Sequence, residues 1–246
     1  KREGHGVVDL EMAVVESCDT YFYDVAVKTG IDDLTPFLGQ FGFGRDMSVD
    51  VISAVSGILP DRDWKRSTGR GPWYPGDTVN LGIGQGFMAV TPLQLATATA
   101  VLANKGKWEV PRLLAAEDNV PTEFPHGDIP DITLKDPSDW DRMFTAMDHV
   151  ITGRHGTARA LRANLDFPIA GKTGTAQVVG IEQDAEYDSE ALQERLRDHA
   201  WFMAFSPIEK PQIAIAVIVE NGESSGRTAA PIAQSIINEY LGGAEG

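Results

Sequence analysis

The segment Gly171-Lys172-Thr173-Gly174-Thr175 constrains this chain more than any other. Short apolar runs flank it, Phe167 to Ala170 and Ala176 to Val179, so it reads as one strand edge carrying an ammonium group, two hydroxyls and two glycines. At average residue usage a Lys-Thr-Gly triplet arises by chance in roughly one chain in twenty of this length, so it gains weight only from its surroundings. A phosphate-binding loop also ends in Gly-Lys-Thr, but it needs a further glycine five positions earlier and a helix directly afterwards. Asp166 occupies that position, with a carboxylate that repels phosphate; Pro168 follows, and no helix-forming run succeeds Thr175. The plainer alternative is a solvated strand with one incidental lysine.

The rest of the chain supplies the partners such a strand needs. Ala200 to Phe205 and Gln212 to Val219 are apolar runs joined by the short turn Pro207 to Pro211, which predicts an antiparallel pair. A last helix is predicted from Pro231 to Leu241, ending at Gly242. Near the start, Asp9 is an N-cap for a helix from Leu10 towards Glu16, which the turn Ser17-Cys18-Asp19 interrupts. A second helix runs from Thr20 to Thr29 and stops at Gly30, followed by a shorter helix and a loop over 31–59. Residues 60–80, rich in Pro, Gly, Trp and Arg, read as irregular. Thr91, Pro92 and Gln94 form a capping box with proline at the first helical position, starting a helix that ends near Asn104 to Gly106. Residues 107–137 read as a proline-rich loop with short strands, and 138–151 as a helix with Trp140, Phe144, Met147 and Ile151 on one face. Gly153 to Gly156 breaks that helix, Thr157 to Arg162 makes a further turn, and a short helix is expected over 189–197. Gly82-Ile83-Gly84-Gln85-Gly86 matches a dinucleotide fingerprint only loosely, because the third glycine is too close.

Composition narrows the function. The net charge is −15 over 246 residues, which argues against nucleic acid or anionic lipid as partner, since those need basic patches. It leaves room for one local basic pocket. Cys18 is the only cysteine, so no internal disulfide forms and cysteine usage says nothing about compartment. The longest clean apolar stretch, Ile213 to Val219, is too short to span a membrane. Residues 1–6 are charged and glycine-rich, unlike a signal peptide, and the chain's start reads like the middle of something longer.

Taken together, three segments resemble one family. Ser17-Cys18-Asp19 looks like the Ser-x-Asn signature of penicillin-binding proteins with Asp in place of Asn. Gly171 to Gln177 matches the Lys-Thr-Gly signature, and Gly84-Gln85-Gly86 with Thr91 to Gln94 is similar to a segment common in their transpeptidase domains. Asp198-His199-Ala200-Trp201 resembles the elongation-type class B group, penicillin-binding protein 2. The resemblance implies an α/β penicilloyl-serine transferase fold, an antiparallel sheet with helices on both faces plus a helical subdomain, incomplete at its N-terminus. Residues 1–165 would be mainly helix and loop; residues 166–246 would hold the Lys-Thr-Gly strand, the last two strands and the final helix.

It also implies a reaction: acyl transfer at a D-alanyl-D-alanine end through an acyl-serine, cross-linking peptidoglycan during elongation, with β-lactams as inhibitors. In that scheme Ser17 relays a proton, Asp19 orients either Ser17 or the lysine of the missing Ser-x-x-Lys, and Lys172 supplies positive charge beside the reacting centre. Thr173, Gly174 and Thr175 bind the substrate, the threonines at its terminal carboxylate; the Thr175 N–H forms half of the oxyanion hole. Ser17 and Lys172 are therefore expected to face each other. The implied partners are the peptidoglycan stem peptide, β-lactams, a membrane glycosyltransferase and elongation scaffold proteins, at the periplasmic face of the inner membrane with an anchor upstream of this chain. No cofactor is required for catalysis. Elongation-type relatives can carry a structural zinc on His, Cys and two upstream carboxylates; His5 and Cys18 supply two such ligands.

One departure is plain. The family's nucleophile lies in Ser-x-x-Lys, and no serine here has lysine three residues on; Ser67 has Arg70, which stays protonated and cannot act as a base. Alone, this chain is expected to be inactive. A β-lactam-hydrolysing or sensing relative and a non-catalytic scaffold module are the competing readings.

Overall fold

The computed structural model describes residues 4–48, 50, 54–114, 116–117, 120–121, 129–178 and 193–243. Along them run α1 (Leu10–Val15), α2 (Asp19–Thr29), α3 (Ile31–Gly39), α4 (Arg62–Ser67), α5 (Pro75–Leu81) and α6 (Pro92–Ala103). The strands β1 (Ala116–Glu117) and β2 (Val120–Pro121) precede α7 (Asp139–Thr152), a 3-10 turn at Arg159–Asn164 and β3 (Ala170–Ala176). A second 3-10 turn at Glu194–Leu196, β4 (His199–Ser206), β5 (Ile213–Val219) and α8 (Ala229–Gly242) complete the order. Of the helix expected over 189–197, residues up to 192 lie outside the described ones, and the rest contains only the second 3-10 turn.

The chain divides into two compact units, Lys1–Cys18 with Ser138–Gly246, and Asp19–Pro137. These units are drawn by packing and differ from the division at residue 165, which is one of element type. Helix α7 buries Trp140, Phe144, Met147 and Ile151, the stripe read from the sequence, and packs on β3, while α1 packs on α7. An amphipathic helix goes with the surface that covers its apolar face, so both helices belong with the sheet despite their distance along the chain.

In the first unit the strands are ordered β3-β4-β5, all antiparallel, with Lys172 opposite Met203 and Gly174 opposite Trp201. Successive side chains on β4 alternate between faces. Phe205 meets Phe144 of α7 at 4.8 Å between ring centroids. Ala200, Phe202 and Ala204, on the other face, are fully buried, and α8 packs along β4 and β5 with Ala229, Ala230, Ala233 and Ile237 fully buried. Helices thus cover both faces of the sheet. A Cβ on Gly171 would come within 2.5 Å of the Phe202 ring, so the glycine before Lys172 lets that ring cross β3. Burial of such a side chain is worth about 1.5–3 kcal/mol.

In the second unit α2 packs against α3 and α5. The α6 capping box is present: the Gln94 N–H donates to Thr91 Oγ1 (3.1 Å) and the Thr91 N–H to Gln94 Oε1 (3.0 Å). Gln94 is also buried, and its amide donates to the Arg45 and Ser56 carbonyls at 2.8 and 2.7 Å, tying two loops to one helix end. Residues 60–80 are not irregular; they hold α4 and α5. Asp61 accepts from the Trp64 N–H at 2.6 Å to start α4, and Asp77 accepts from the Tyr74 N–H at 2.7 Å at the start of α5. At six and seven residues these helices are too short to show a hydrophobic period. They are held by Lys65 and Asp77, an ion pair at 2.5 Å whose side chains are 6% and 15% exposed.

Candidate active site

The C-terminal end of α1 places Ser17. The Cys18 N–H reaches back to the Ala13 carbonyl (2.8 Å) and the Ser17 N–H to the Val14 carbonyl (3.3 Å). This is the paired closure of a Schellman motif, whose turning residue sits in the left-handed region and is normally glycine. Here it is Ser17, at φ +55°. A side chain there costs about 1 kcal/mol. The backbone conformation thus disfavours serine at this position.

Lys172 stands on β3, which packs on α7, as does α1. Its Nζ donates to Ser17 Oγ at 2.9 Å and to the Thr173 carbonyl at 3.0 Å. The two residues lie 155 positions apart in sequence and both are half-buried. An ammonium donating to a hydroxyl oxygen occupies one of its lone pairs and leaves the hydroxyl proton available to a third group. The adjacent positive charge also makes that proton easier to release. The pair is therefore suited to passing a proton while stabilising negative charge.

The rest of the Lys-Thr-Gly strand is braced from two loops. The Thr173 and Thr157 hydroxyls are 2.8 Å apart, and the Ser225 hydroxyl donates to the Gly174 carbonyl. Gly174 packs against Trp201, where a Cβ would lie 3.3 Å from the Trp201 Cβ, and Thr175 is exposed. Thr157 and Ser225 carry no sequence signal; a hydroxyl in a loop marks nothing until the strand it touches is known.

Asp19, exposed, is the first residue of α2 and belongs to the second unit, where a carboxylate in the first helical turn suits the helix dipole. Burial, and after it the Asp19 charge, pushes the Tyr23 hydroxyl above its ordinary pKa. His5 Nε2 lies 3.7 Å from Glu16 Oε2, and Cys18 is buried with a free thiol. Among the described residues no three His, Cys, Asp or Glu side chains gather as a metal site.

A half-buried lysine on an edge strand, bonded to the serine of a Ser-x-Asp turn, is the arrangement that the resemblance to penicillin-binding proteins implies. The chain belongs to the penicillin-binding protein transpeptidase family, whose transpeptidase domain matches residues 1–238. It is 38% identical over 244 residues to the peptidoglycan D,D-transpeptidase MrdA of Haemophilus influenzae, and 43% identical over 244 residues to that of Acinetobacter baumannii. Each alignment covers 98% of this chain, but 37% and 36% of those relatives, so the chain spans just over a third of their length. A crystal structure of Pseudomonas aeruginosa PBP2 in complex with WCK 5153 superimposes with a TM-score of 0.89 at 47% identity, over 98% of this chain and 49% of that one. The complex between PBP2 and MreC from Helicobacter pylori gives 0.77 at 33% identity, over 97% and 41%. The resemblance to the penicillin-binding protein 2 group read from the residues agrees with these relatives.

Proposed function

We propose that this chain is the part of a peptidoglycan D,D-transpeptidase that carries the proton relay and the substrate-carboxylate site. The serine nucleophile of Ser-x-x-Lys would come from sequence outside these 246 residues. The observation that carries the reading is the 2.9 Å bond between Lys172 and Ser17. In the reaction the serine hydroxyl attacks the carbonyl of a D-alanyl-D-alanine end, and its proton passes to the leaving amine of D-alanine. Ser17 is the relay: its proton goes to that amine while its oxygen, held by the Lys172 hydrogen bond, takes up the proton lost by the nucleophile. The fixed charge of Lys172 favours the anionic transition state and the substrate's carboxylate. Thr173 and Thr175 donate to that carboxylate, the Thr175 N–H supplies one oxyanion donor, and Gly174 allows the substrate backbone to approach. Asp19, at the start of α2, is assigned to orienting the Ser-x-Asp turn.

The setting follows the relatives. We place the protein at the periplasmic face of the inner membrane, with a membrane glycosyltransferase and elongation scaffold proteins as partners; the Helicobacter pylori complex of PBP2 with MreC supports a partner of the second kind. No helix among the described residues is long and apolar enough to cross a membrane, so an anchor is assigned to other sequence. His5 and Cys18 are proposed as two ligands of a structural zinc, to be completed by two carboxylates from the longer protein; its zinc content tests this.

Intact-mass analysis after penicillin exposure tests the function. The expected result is no adduct on this chain and one adduct on a chain extended to include the family's Ser-x-x-Lys. Rapid turnover of the drug by the extended chain indicates a hydrolase instead. No adduct on it indicates a non-catalytic module.

A further inference from the structure

We propose that Thr157 is a positioning residue for carboxylate recognition: its hydroxyl donates to Thr173 and so fixes which way the Thr173 proton points. The proposal rests on the transpeptidase reading above.

The two hydroxyl oxygens are 2.8 Å apart, and either can be the donor. The choice matters because a hydroxyl has one proton. If Thr173 donates to Thr157, that proton is spent inside the protein. If Thr157 donates to Thr173, the Thr173 proton is directed to a substrate carboxylate, and the two bonds in series strengthen each other. An anionic acceptor selects the second arrangement, since a hydrogen bond to a charged group is worth more than one between neutral groups.

Thr157 is well placed to hold this role without reorganising. The N–H of the next residue, Ala158, donates to the Val150 carbonyl of α7 at 3.0 Å. The Thr157 carbonyl sits close against Gly226, where a Cβ would lie 2.5 Å from it. The loop is thus pinned between α7 and the lead-in to α8, while Thr157 itself is exposed beside the substrate strand.

The test uses the extended, penicillin-reactive protein and two probes, benzylpenicillin and its methyl ester, which lacks the negative charge. The readout is the ratio of their acylation rate constants. Thr157→Val is expected to lower the preference for the carboxylate by about fivefold, the worth of one hydrogen bond, while the ester rate changes little. Thr157→Ser should restore the ratio. An unchanged ratio in Thr157→Val overturns the proposal. So does an equal fall in both rates, which is the mark of a purely structural role, and Thr157→Ala repeats the measurement should the valine variant fold poorly. A wild-type protein that takes no adduct from either probe overturns the transpeptidase reading and this proposal with it, whereas failure in the variants alone leaves that reading intact.

Discussion

Two lysines, Lys65 in α4 and Lys172 on β3, show how differently the two units use the same side chain. Lys65 is 5% exposed, bonded to Asp77, with its Nζ 5.9, 4.9 and 5.3 Å from the ring centres of Trp73, Tyr74 and Phe87. A buried ammonium survives only when charge and hydrogen bonds are matched, and here a carboxylate and three aromatic faces match it. Lys172 is half-buried and donates to a hydroxyl and a peptide carbonyl. Neither of these two acceptors carries a formal charge, unlike the Asp77 carboxylate beside Lys65. The first arrangement serves the fold of its unit; the second is the one to which the proposed function assigns chemistry.

Breaking the ion pair should produce the largest effect. Asp77→Ala leaves Lys65 buried without its counter-charge and is expected to destabilise the protein by about 3–5 kcal/mol, measured by urea unfolding. Replacing both residues, Lys65→Met with Asp77→Ala, should recover much of that loss, and a double variant as unstable as the single one would show that packing rather than charge dominates. The pair also predicts a pH dependence. Burial alone would raise the Asp77 pKa, but the Lys65 hydrogen bond, the Tyr74 N–H and the Lys65 charge together hold it below the ordinary aspartate value. A lowered carboxylate pKa gives stability that is present above the unfolded-state value and lost as pH falls through the folded one. Unfolding midpoints should therefore hold through pH 5 and decline below the usual aspartate range, and the decline should be shallower in the double variant.

Lys172→Ala is next, on activity instead of stability. In the extended protein its acylation by penicillin should slow by at least about a hundredfold, near 3 kcal/mol, with little change in unfolding midpoint. A normal rate would remove Lys172 from the mechanism, and a collapse in stability would make it a second Lys65.

The contrast also explains what could be read from residues alone. The β3–β4–β5 sheet, α6 and α7 were legible because each has a local cause: an apolar run with a short turn, a capping box, a stripe at helical spacing. Ser17 and Lys172 were legible because each lies in a short motif, although 155 residues separate them. The Lys65–Asp77 pair was not, since nothing in a Trp- and Gly-rich stretch announces that two short helices will close on an ion pair. The unit boundaries were hidden for a related reason: the surfaces that α1 and α7 cover lie far away in sequence. Thr157 and Ser225 matter only through contacts with β3, so no local pattern could mark them.

The smallest effect expected is also the one that best separates stability from chemistry. Ser17 holds φ at +55° at the closing turn of α1, a conformation glycine adopts freely. Ser17→Gly removes the side-chain strain, worth about 1 kcal/mol, and with it the hydroxyl bonded to Lys172. A neutral hydrogen bond contributes a comparable amount, and one to a charged donor somewhat more, so the two changes nearly cancel. The unfolding midpoint should shift by no more than about 2–4 °C in either direction. Ser17→Ala keeps the strained backbone and loses the bond, so it should be the less stable of the two. Both should impair acylation of the extended protein alike, because both lack the relay hydroxyl. If the glycine variant melts well below the alanine variant, the extra chain freedom of glycine outweighs the strain relieved, and the left-handed turn is not where Ser17 stores its cost. If either variant acylates at the normal rate, Ser17 serves the fold as Lys65 does, and the contrast between the two lysines loses its chemical half.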